Sequence, residues 1–122
     1  MIMHSDQITG LHVDSLSKKY DDFTLDASFE IKQGEFVTIV GPSGCGKTTL
    51  LSLICGLLQP DSGSVVLGGR RLDDVAIWDR NIGMVFQNYA LFPNMSIRQN
   101  IGYGMKMRKF PRSAIEERVN AL

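Results

Sequence analysis

The chain has 122 residues, which is an ordinary size for one domain. Its 13 Lys and Arg residues balance 13 Asp and Glu residues, so no overall field favours nucleic acid or an anionic lipid surface. The hydrophobic content of 43% is enough to bury a core, yet no apolar run approaches the ~20 residues of a membrane-spanning helix. The first residues, "MIMHSDQ", lack the features of a signal peptide, and two cysteines are too few for a disulfide framework. The small number of cysteines predicts a protein of a reducing compartment.

Alternating apolar and polar residues predict two strands near the start, at "LHVDSL" and "FTLDASFEI", and the four residues "KQGE" that follow them predict a turn. Phe36–Val40 is almost entirely apolar and β-branched, which is typical of a strand that is buried on both faces. Lys47–Cys55 predicts a helix that is apolar almost all round and therefore central.

The second half of the chain continues the pattern. "SVVLGGRRL" predicts two strands joined by a tight Gly-Gly turn, and "NIGMVFQ" predicts another buried strand. Ser96 with Gln99 forms a capping-box pattern, which predicts a helix from Ile97. Ser113 with Glu116 repeats that pattern, and the sequence ends within the helix it predicts. We therefore expect residues 1–122 to be the N-terminal portion of a longer domain.

One glycine-rich stretch carries the clearest chemical signal. Gly41-x-x-x-x-Gly46-Lys47-Thr48 fits the loop that binds nucleoside triphosphates, and it follows a predicted buried strand and opens a predicted helix. Glycines let backbone N–H groups approach phosphates closely, and the positive end of the helix attracts their charge. In this pattern the lysine reaches the β- and γ-phosphates, and the Thr48 hydroxyl is a ligand for Mg²⁺. The predicted phosphate-binding residues are Gly41, Pro42, Ser43, Gly44, Cys45, Gly46, Lys47, Thr48 and Thr49.

The sequence around this loop, from "LSKKY" to "VVLGG" and again in "RNIGMVFQNYALFPNMSIRQNI", resembles the ATP-binding subunit of ATP-binding cassette (ABC) transporters over nearly the whole chain. It is most similar to the subunits that energise import of sugars, polyamines, iron or oxyanions. The resemblance implies an α/β fold of the P-loop NTPase class, with an antiparallel β-subdomain and part of a RecA-like core.

The resemblance also implies roles for residues outside the loop. Tyr20 takes the position of the aromatic residue that stacks on adenine. Gln87 takes the position of the glutamine that reaches Mg²⁺ and the attacking water, and is thus the candidate catalytic residue. Asn88–Pro93 takes the position of the segment that touches the membrane-embedded permease. Residues alone leave open that Tyr20 is an ordinary strand-end aromatic and that the large apolar residues of Asn88–Pro93 belong to a core.

Several elements of a complete ABC ATPase are not in the sequence. It contains no Ser-Gly-Gly-Gln, and both histidines, His4 and His12, precede the phosphate loop. Val75–Asp79 resembles a magnesium-organising strand, but Arg80 follows where a catalytic Glu would stand. We therefore expect Asp79 to share a solvated acidic edge with Asp73 and Asp74. The family's Asp-Glu strand would lie beside Phe36–Val40, and without it that segment would expose an apolar edge.

The resemblance implies ATP and Mg²⁺ as cofactors and a second ATP-binding subunit as partner, and we expect no nucleic acid. It places the protein in the cytoplasm, peripheral on the inner face of the membrane through the permease. Two alternatives remain open at this point: a soluble ABC-type protein that uses ATP as a switch, and a small P-loop kinase. The kinase would need an acceptor site and an Arg-rich lid, and the sequence offers no clear candidate for either.

Overall fold

The computed structural model describes residues 10–122, which form two compact units, one ending at Met84 and the other spanning Val85–Leu122. The first unit contains strands β1 (Leu11–Lys19) and β2 (Thr24–Ile31), helix α1 (Lys47–Cys55), strands β3 (Ser62–Leu67) and β4 (Arg70–Arg71), and a 3₁₀ helix at Ile77–Asp79. The second unit contains helices α2 (Ile97–Met107) and α3 (Arg112–Asn120). None of the described helices is long and apolar enough to cross a membrane.

The four strands form one antiparallel sheet in the order β2-β1-β3-β4. The predicted Gly-Gly turn joins β3 to β4, and both glycines, Gly68 and Gly69, have positive φ as such a turn requires. A bulge interrupts β1 after Val13, where Ser15 has a φ of 48°. Gly63 passes so close to this bulge that a Cβ atom there would lie 2.2 Å from the Ser15 carbonyl oxygen.

The core of the first unit lies between the sheet and α1. Its members are apolar residues of the strands, the helix and the turn after β4: Val13, Leu16, Leu25, Leu50, Leu53, Ile54, Val65 and Leu72. Ala27 and Phe29 pack against this cluster from β2, which confirms the predicted alternation of that strand. Helix α1 has the predicted bounds, and its position on the sheet fixes where the phosphate loop begins.

Two predictions of buried strands were wrong for the described chain. Phe36–Val40 and the "NIGMVFQ" segment, Asn81–Gln87, are not strands. Phe36 is 92% exposed and Val85 is 87% exposed. The physical reason is that a strand needs hydrogen-bonding neighbours, and the described sheet contains β1 to β4 alone. The exposure of Phe36–Val40 agrees with the expectation for this segment when no strand lies beside it.

In the second unit, the capping box at α2 is confirmed. The Ser96 hydroxyl accepts from the backbone N–H of Gln99, and the Gln99 side chain accepts from the backbone N–H of Ser96. The second capping box was wrong, because α3 begins at Arg112, its N-cap is Pro111, and no side chain caps it. Proline suits this position since a helix start does not need its missing N–H.

The two helices of this unit pack closely at one point. A Cβ atom on Gly102 of α2 would lie 2.8 Å from the Ile115 side chain of α3, and Val119 is buried beside them. Leu122 lies beyond the end of α3 and is 75% exposed.

Candidate functional site

The phosphate loop has the backbone geometry for which its glycines are needed. Gly44 and Gly46 have φ values of 80° and 95°, a region that side chains disfavour. Gly46 is also crowded, because a Cβ atom there would lie 2.8 Å from the Phe23 ring and 3.2 Å from Leu25. A Cβ atom on Gly41 would lie 2.7 Å from the Cys45 sulfur. Gly44 and Gly46 are therefore needed for their positive φ, and Gly41 and Gly46 for the lack of space for a side chain.

Lys47 is held over the loop by the loop itself. Its ammonium group donates to the carbonyl oxygens of Gly41 at 2.8 Å and Pro42 at 2.6 Å, and it lies 3.5 Å from the Cys45 sulfur. None of these contacts neutralises the charge, because the acceptors are carbonyls and a thiol. The geometry therefore places the ammonium group beside the loop, where it can interact with a bound anion.

The start of α1 is open to an anion. Gly46 is its N-cap, no side chain bonds to the exposed N–H groups of the first turn, and that turn contains no acidic residue. These N–H groups carry the positive end of the helix dipole. Thr48 is exposed and Thr49 is half-buried, so both hydroxyls lie in the first turn where the motif places them. Together with Lys47, this end of the helix can bind phosphate.

An open cavity of about 430 Å³ joins the phosphate loop to the turn between β1 and β2. It is lined by the turn residues Tyr20, Asp21, Asp22 and Phe23 and by the loop and helix residues Gly44, Gly46 and Thr49. The structure thus brings the predicted adenine-stacking residue, Tyr20, and three of the predicted phosphate-binding residues, Gly44, Gly46 and Thr49, to one cavity. Its volume lies within the range of small-molecule sites.

Phe23 is a residue of this site that the sequence interpretation missed. Tyr20 and Phe23 flank a two-residue hairpin loop, and the backbone N–H of Tyr20 donates to the carbonyl of Phe23 at 2.7 Å. Their rings are stacked, with centroids 6.3 Å apart and planes 19° apart. Because the Phe23 ring also rests on Gly46, it links the position of Tyr20 to the phosphate loop. The signal in the sequence was the spacing of two aromatics around "DD" at a strand junction.

The other residues singled out from the resemblance lie in the second unit. Gln87 is exposed and begins a turn in which Tyr89 and Ala90 have φ values of 61° and 46°. Asn88–Pro93 is exposed as well, including Tyr89 and Leu91 at 76% and 69%. The suggestion that these apolar residues form a core is therefore wrong, and they offer a surface.

Asn100 holds the end of that surface in place, a role that sequence reasoning did not foresee. Its side-chain oxygen accepts from the N–H of Phe92 at 2.9 Å, and its amide nitrogen lies 3.1–3.2 Å from the carbonyl oxygens of Phe92, Met95 and Ser96. The Phe92 ring packs on Tyr103 with centroids 4.5 Å apart. An apolar groove of about 390 Å³ lies here, lined by Leu91, Phe92, Pro93, Met95, Ile97, Asn100 and Ile101.

The segment around Asp79 does not form a magnesium-organising strand, because Ile77–Asp79 is a 3₁₀ helix. Asp74 and Asp79 are exposed, as expected, but Asp73 is half-buried. Its carboxylate accepts from the N–H of Val65 at 3.0 Å and from the side chain of Arg71. Asp73 thereby ties the turn after β4 to strand β3.

Both cysteines are free. Cys45 is exposed in the loop beside Lys47, whereas Cys55 is half-buried at the end of α1. Burial raises the pKa of the Cys55 thiol, and the nearby charge of Arg80 lowers it in part. The two thiols therefore lie in different surroundings, Cys45 in the loop before α1 and Cys55 at the end of that helix.

Comparisons with known proteins identify the family to which the chain belongs. A family model described as ABC transporter matches residues 25–122. The chain is 49% identical over 107 residues to the spermidine/putrescine import ATP-binding protein PotA of Nitratidesulfovibrio vulgaris, covering 86% of this chain and 29% of PotA. It is 53% identical over 92 residues to the sn-glycerol-3-phosphate import ATP-binding protein UgpC of Paracoccus denitrificans, covering 75% of this chain and 26% of UgpC. The chain thus spans less than a third of these relatives.

Solved structures of ATP-binding cassettes are similar to this chain in fold. A dimeric post-hydrolysis state of the ATP-binding cassette MJ0796 with ADP and Pi matches with a TM-score of 0.77 and 25% identity, covering 91% of this chain and 54% of that one. A second dimeric structure of MJ0796, described as a bacterial ABC transporter cassette, matches with a TM-score of 0.75 and 28% identity, covering 90% and 53%. The antiparallel sheet, the phosphate loop and the helices are part of a P-loop fold of the ABC-cassette type, and the chain belongs to the ABC transporter family.

Proposed function

We propose that this chain binds ATP with Mg²⁺ and forms the N-terminal portion of an ABC nucleotide-binding domain. The observation that carries the proposal is the single cavity in which Tyr20 faces the phosphate loop and the start of α1. Lys47 and the open N–H groups supply positive charge at the phosphate end. The aromatic pair at the other end supplies a flat surface for a base.

In this proposal the Thr48 hydroxyl would hold Mg²⁺, a cation that prefers oxygen ligands. The resemblance alone implies that Gln87 would offer a neutral carbonyl oxygen to the ion and position the attacking water. Such a metal would neutralise charge on the β- and γ-phosphates.

For the complete protein we propose ATP hydrolysis that drives solute import. The relatives named above are import ATP-binding proteins for polyamines and for glycerol phosphate, and others act in iron or sulfate import. The expected assembly contains a permease and a second ATP-binding subunit, and the dimeric MJ0796 cassettes support the latter. The protein would then work at the cytoplasmic face of the membrane.

Tyr20→Ala should weaken ATP binding about five- to a hundredfold, because base–aromatic stacking contributes ~1–3 kcal/mol. Binding of inorganic triphosphate should stay within about twofold, since it has no base to stack. Calorimetric titration of both ligands with Mg²⁺ measures the two effects.

Tyr89→Ala is the matched control, because it removes the same side chain from an exposed position in the second unit. It should leave ATP affinity unchanged. Equal losses of affinity for ATP and inorganic triphosphate in Tyr20→Ala would refute base stacking by this residue.

We further propose that the permease docks on Asn88–Pro93 and the adjoining apolar groove. The exposed apolar residues and the polar anchoring by Asn100 support this, because a protein interface needs apolar area on a defined backbone.

Asn100→Asp tests how the docking surface is held. The carboxylate keeps the acceptor for the Phe92 N–H but loses the donors that face the carbonyls of Phe92, Met95 and Ser96. Amide hydrogen exchange in residues 92–96 should accelerate by about five- to a hundredfold, since an unsatisfied polar partner costs ~1–3 kcal/mol.

Asn94→Asp makes the same chemical change at an exposed position of the same unit and should leave the exchange nearly unchanged. If the two variants exchange alike, the anchoring role of Asn100 is wrong.

A further inference from the structure

Arg80 is a buried cation that none of the functions above uses. Its residue is only 5% exposed, and it is the one charged residue in the buried core of the described chain. Its Nε donates to the carbonyl oxygen of Val75 at 2.9 Å, and a terminal guanidinium nitrogen donates to the carbonyl oxygen of Ile54 at 3.0 Å. Because burying a charge is costly, such an arrangement calls for a physical explanation.

The contact with Ile54 completes the C-terminal end of α1. The last carbonyls of a helix have no partners within it. Following backbone N–H groups serve two of them here, since Gly56 donates to Leu53 and Leu57 donates to Ser52. The guanidinium of Arg80 serves Ile54 and brings a positive charge to the negative end of the helix dipole.

Gly56 provides the space for this contact. Its φ of 84° is the left-handed conformation that ends helices, and a Cβ atom there would lie 2.5 Å from the Arg80 guanidinium carbon. Gly56 and Arg80 therefore form one device, which we call the α1 clamp: a glycine that ends the helix and an arginine that fills the space above it. The clamp joins α1 to the loop of Val75.

The clamp acts on the same helix whose first turn forms the phosphate site. Leu50, Leu53 and Ile54 pack α1 on the sheet, but apolar contacts have no preferred direction. A planar guanidinium that bonds two fixed carbonyls does have one. At the other end of the helix, Phe23 and Leu25 contact Gly46. With both ends located, the N–H groups of the first turn point in a fixed direction.

We propose that Arg80 is a positioning residue for nucleotide binding, which holds α1 so that its first turn and Lys47 meet the phosphates in a fixed geometry. This inference rests on the proposed ATP site and extends it to a residue that lies at the opposite end of the helix from the phosphates.

Arg80→Met removes the charge and both hydrogen bonds but keeps an unbranched apolar stem. ATP and inorganic triphosphate should both bind about three- to tenfold more weakly, the range expected for a residue that acts without touching the ligand. Arg80→Lys keeps the charge but not the planar fork, so it should restore affinity only in part. Calorimetry on folded protein gives these affinities, and urea unfolding gives the stability of each variant.

Val65→Ala is the control for stability, because Val65 is buried in β3 and its loss changes no polar contact of α1. It should lower stability and leave both affinities within about twofold. The positioning role would be overturned if Arg80→Met bound the ligands with wild-type affinity. It would also be overturned if Arg80→Met and Val65→Ala had equal unfolding free energies and Arg80→Met lost no more ligand affinity than Val65→Ala. Failure of both Arg80 variants to fold would overturn it too, since Arg80 would then be a folding determinant. A wild-type chain that binds neither ligand would instead overturn the proposed ATP site and with it this inference.

Discussion

Lys47→Ala should weaken the binding of ATP by about ten- to a hundredfold. The ammonium is held over the loop by the carbonyls of Gly41 and Pro42, so it is already in place when a phosphate arrives. Hydrogen bonds to charged groups contribute ~1.5–3 kcal/mol, and their loss gives this range of affinity. Inorganic triphosphate should lose the same factor, because the lysine interacts with phosphate and not with the base.

A matched control is Lys32→Ala, which removes the same charge from an exposed turn of the same unit. It should bind both ligands as the unchanged chain does. Titration calorimetry on folded protein measures all three proteins. A folded Lys47→Ala variant that binds ATP with unchanged affinity would contradict the phosphate-loop assignment.

The local elements could be predicted from the sequence because local chemistry determines them. Helix α1 has the predicted bounds, since its start is set by Gly46 and its end by Gly56. The turn at Gly68-Gly69 follows from the positive φ that both residues adopt. The capping box of α2 follows from Ser96 and its spacing to Gln99.

The predictions that failed depend on partners far away in the chain. Phe36–Val40 has the composition of a central strand, but composition does not supply the neighbouring strands that would bond to it. The same holds for Asn81–Gln87. For α3, the Ser-x-x-Glu spacing at Ser113 was present, yet Pro111 allowed the helix to begin two residues earlier than the pattern implied.

The residues of the candidate site also differ in how far the sequence could predict them. The residues of the loop were predictable because the motif is continuous in sequence, and the approach of Tyr20 followed from the resemblance. The supporting residues were not predicted. Phe23 packs on Tyr20 across the hairpin loop, and Asn100 bonds to the loop that precedes its helix. Arg80 bonds to the carbonyl of a residue that lies 26 positions earlier in the chain. The spacing of Tyr20 and Phe23 around "DD" was a signal for the first of these contacts, whereas the contacts of Asn100 and Arg80 depend on tertiary structure and leave no pattern in the sequence. The role of Gln87 at the nucleotide stays a prediction.

The 122-residue chain should bind ATP without turning it over. Hydrolysis needs a group that positions or activates water and a second contact on the γ-phosphate. Asp79, the one candidate that resembles the family's magnesium-organising carboxylate, lies on an exposed 3₁₀ helix. The residue after it is Arg80, whose guanidinium is committed to backbone carbonyls, so no catalytic Glu stands there. The sequence contains no Ser-Gly-Gly-Gln, so pairing two copies would not supply the second contact.

Phosphate release from the purified chain with ATP and Mg²⁺ should therefore stay near the uncatalysed rate even at high protein concentration, against a median turnover of about 10 per second for enzymes. Gln87 can orient a water molecule but is neutral and a poor base, so it does not change this expectation. Lys47→Ala is the control for a contaminating ATPase, because a contaminant would be equally active in both preparations. Steady release that Lys47→Ala abolishes would show that the chain hydrolyses ATP by itself. Asp79→Ala would then decide whether that carboxylate does the chemistry, since only a catalytic Asp79 would make release fall with this substitution while ATP binding remained.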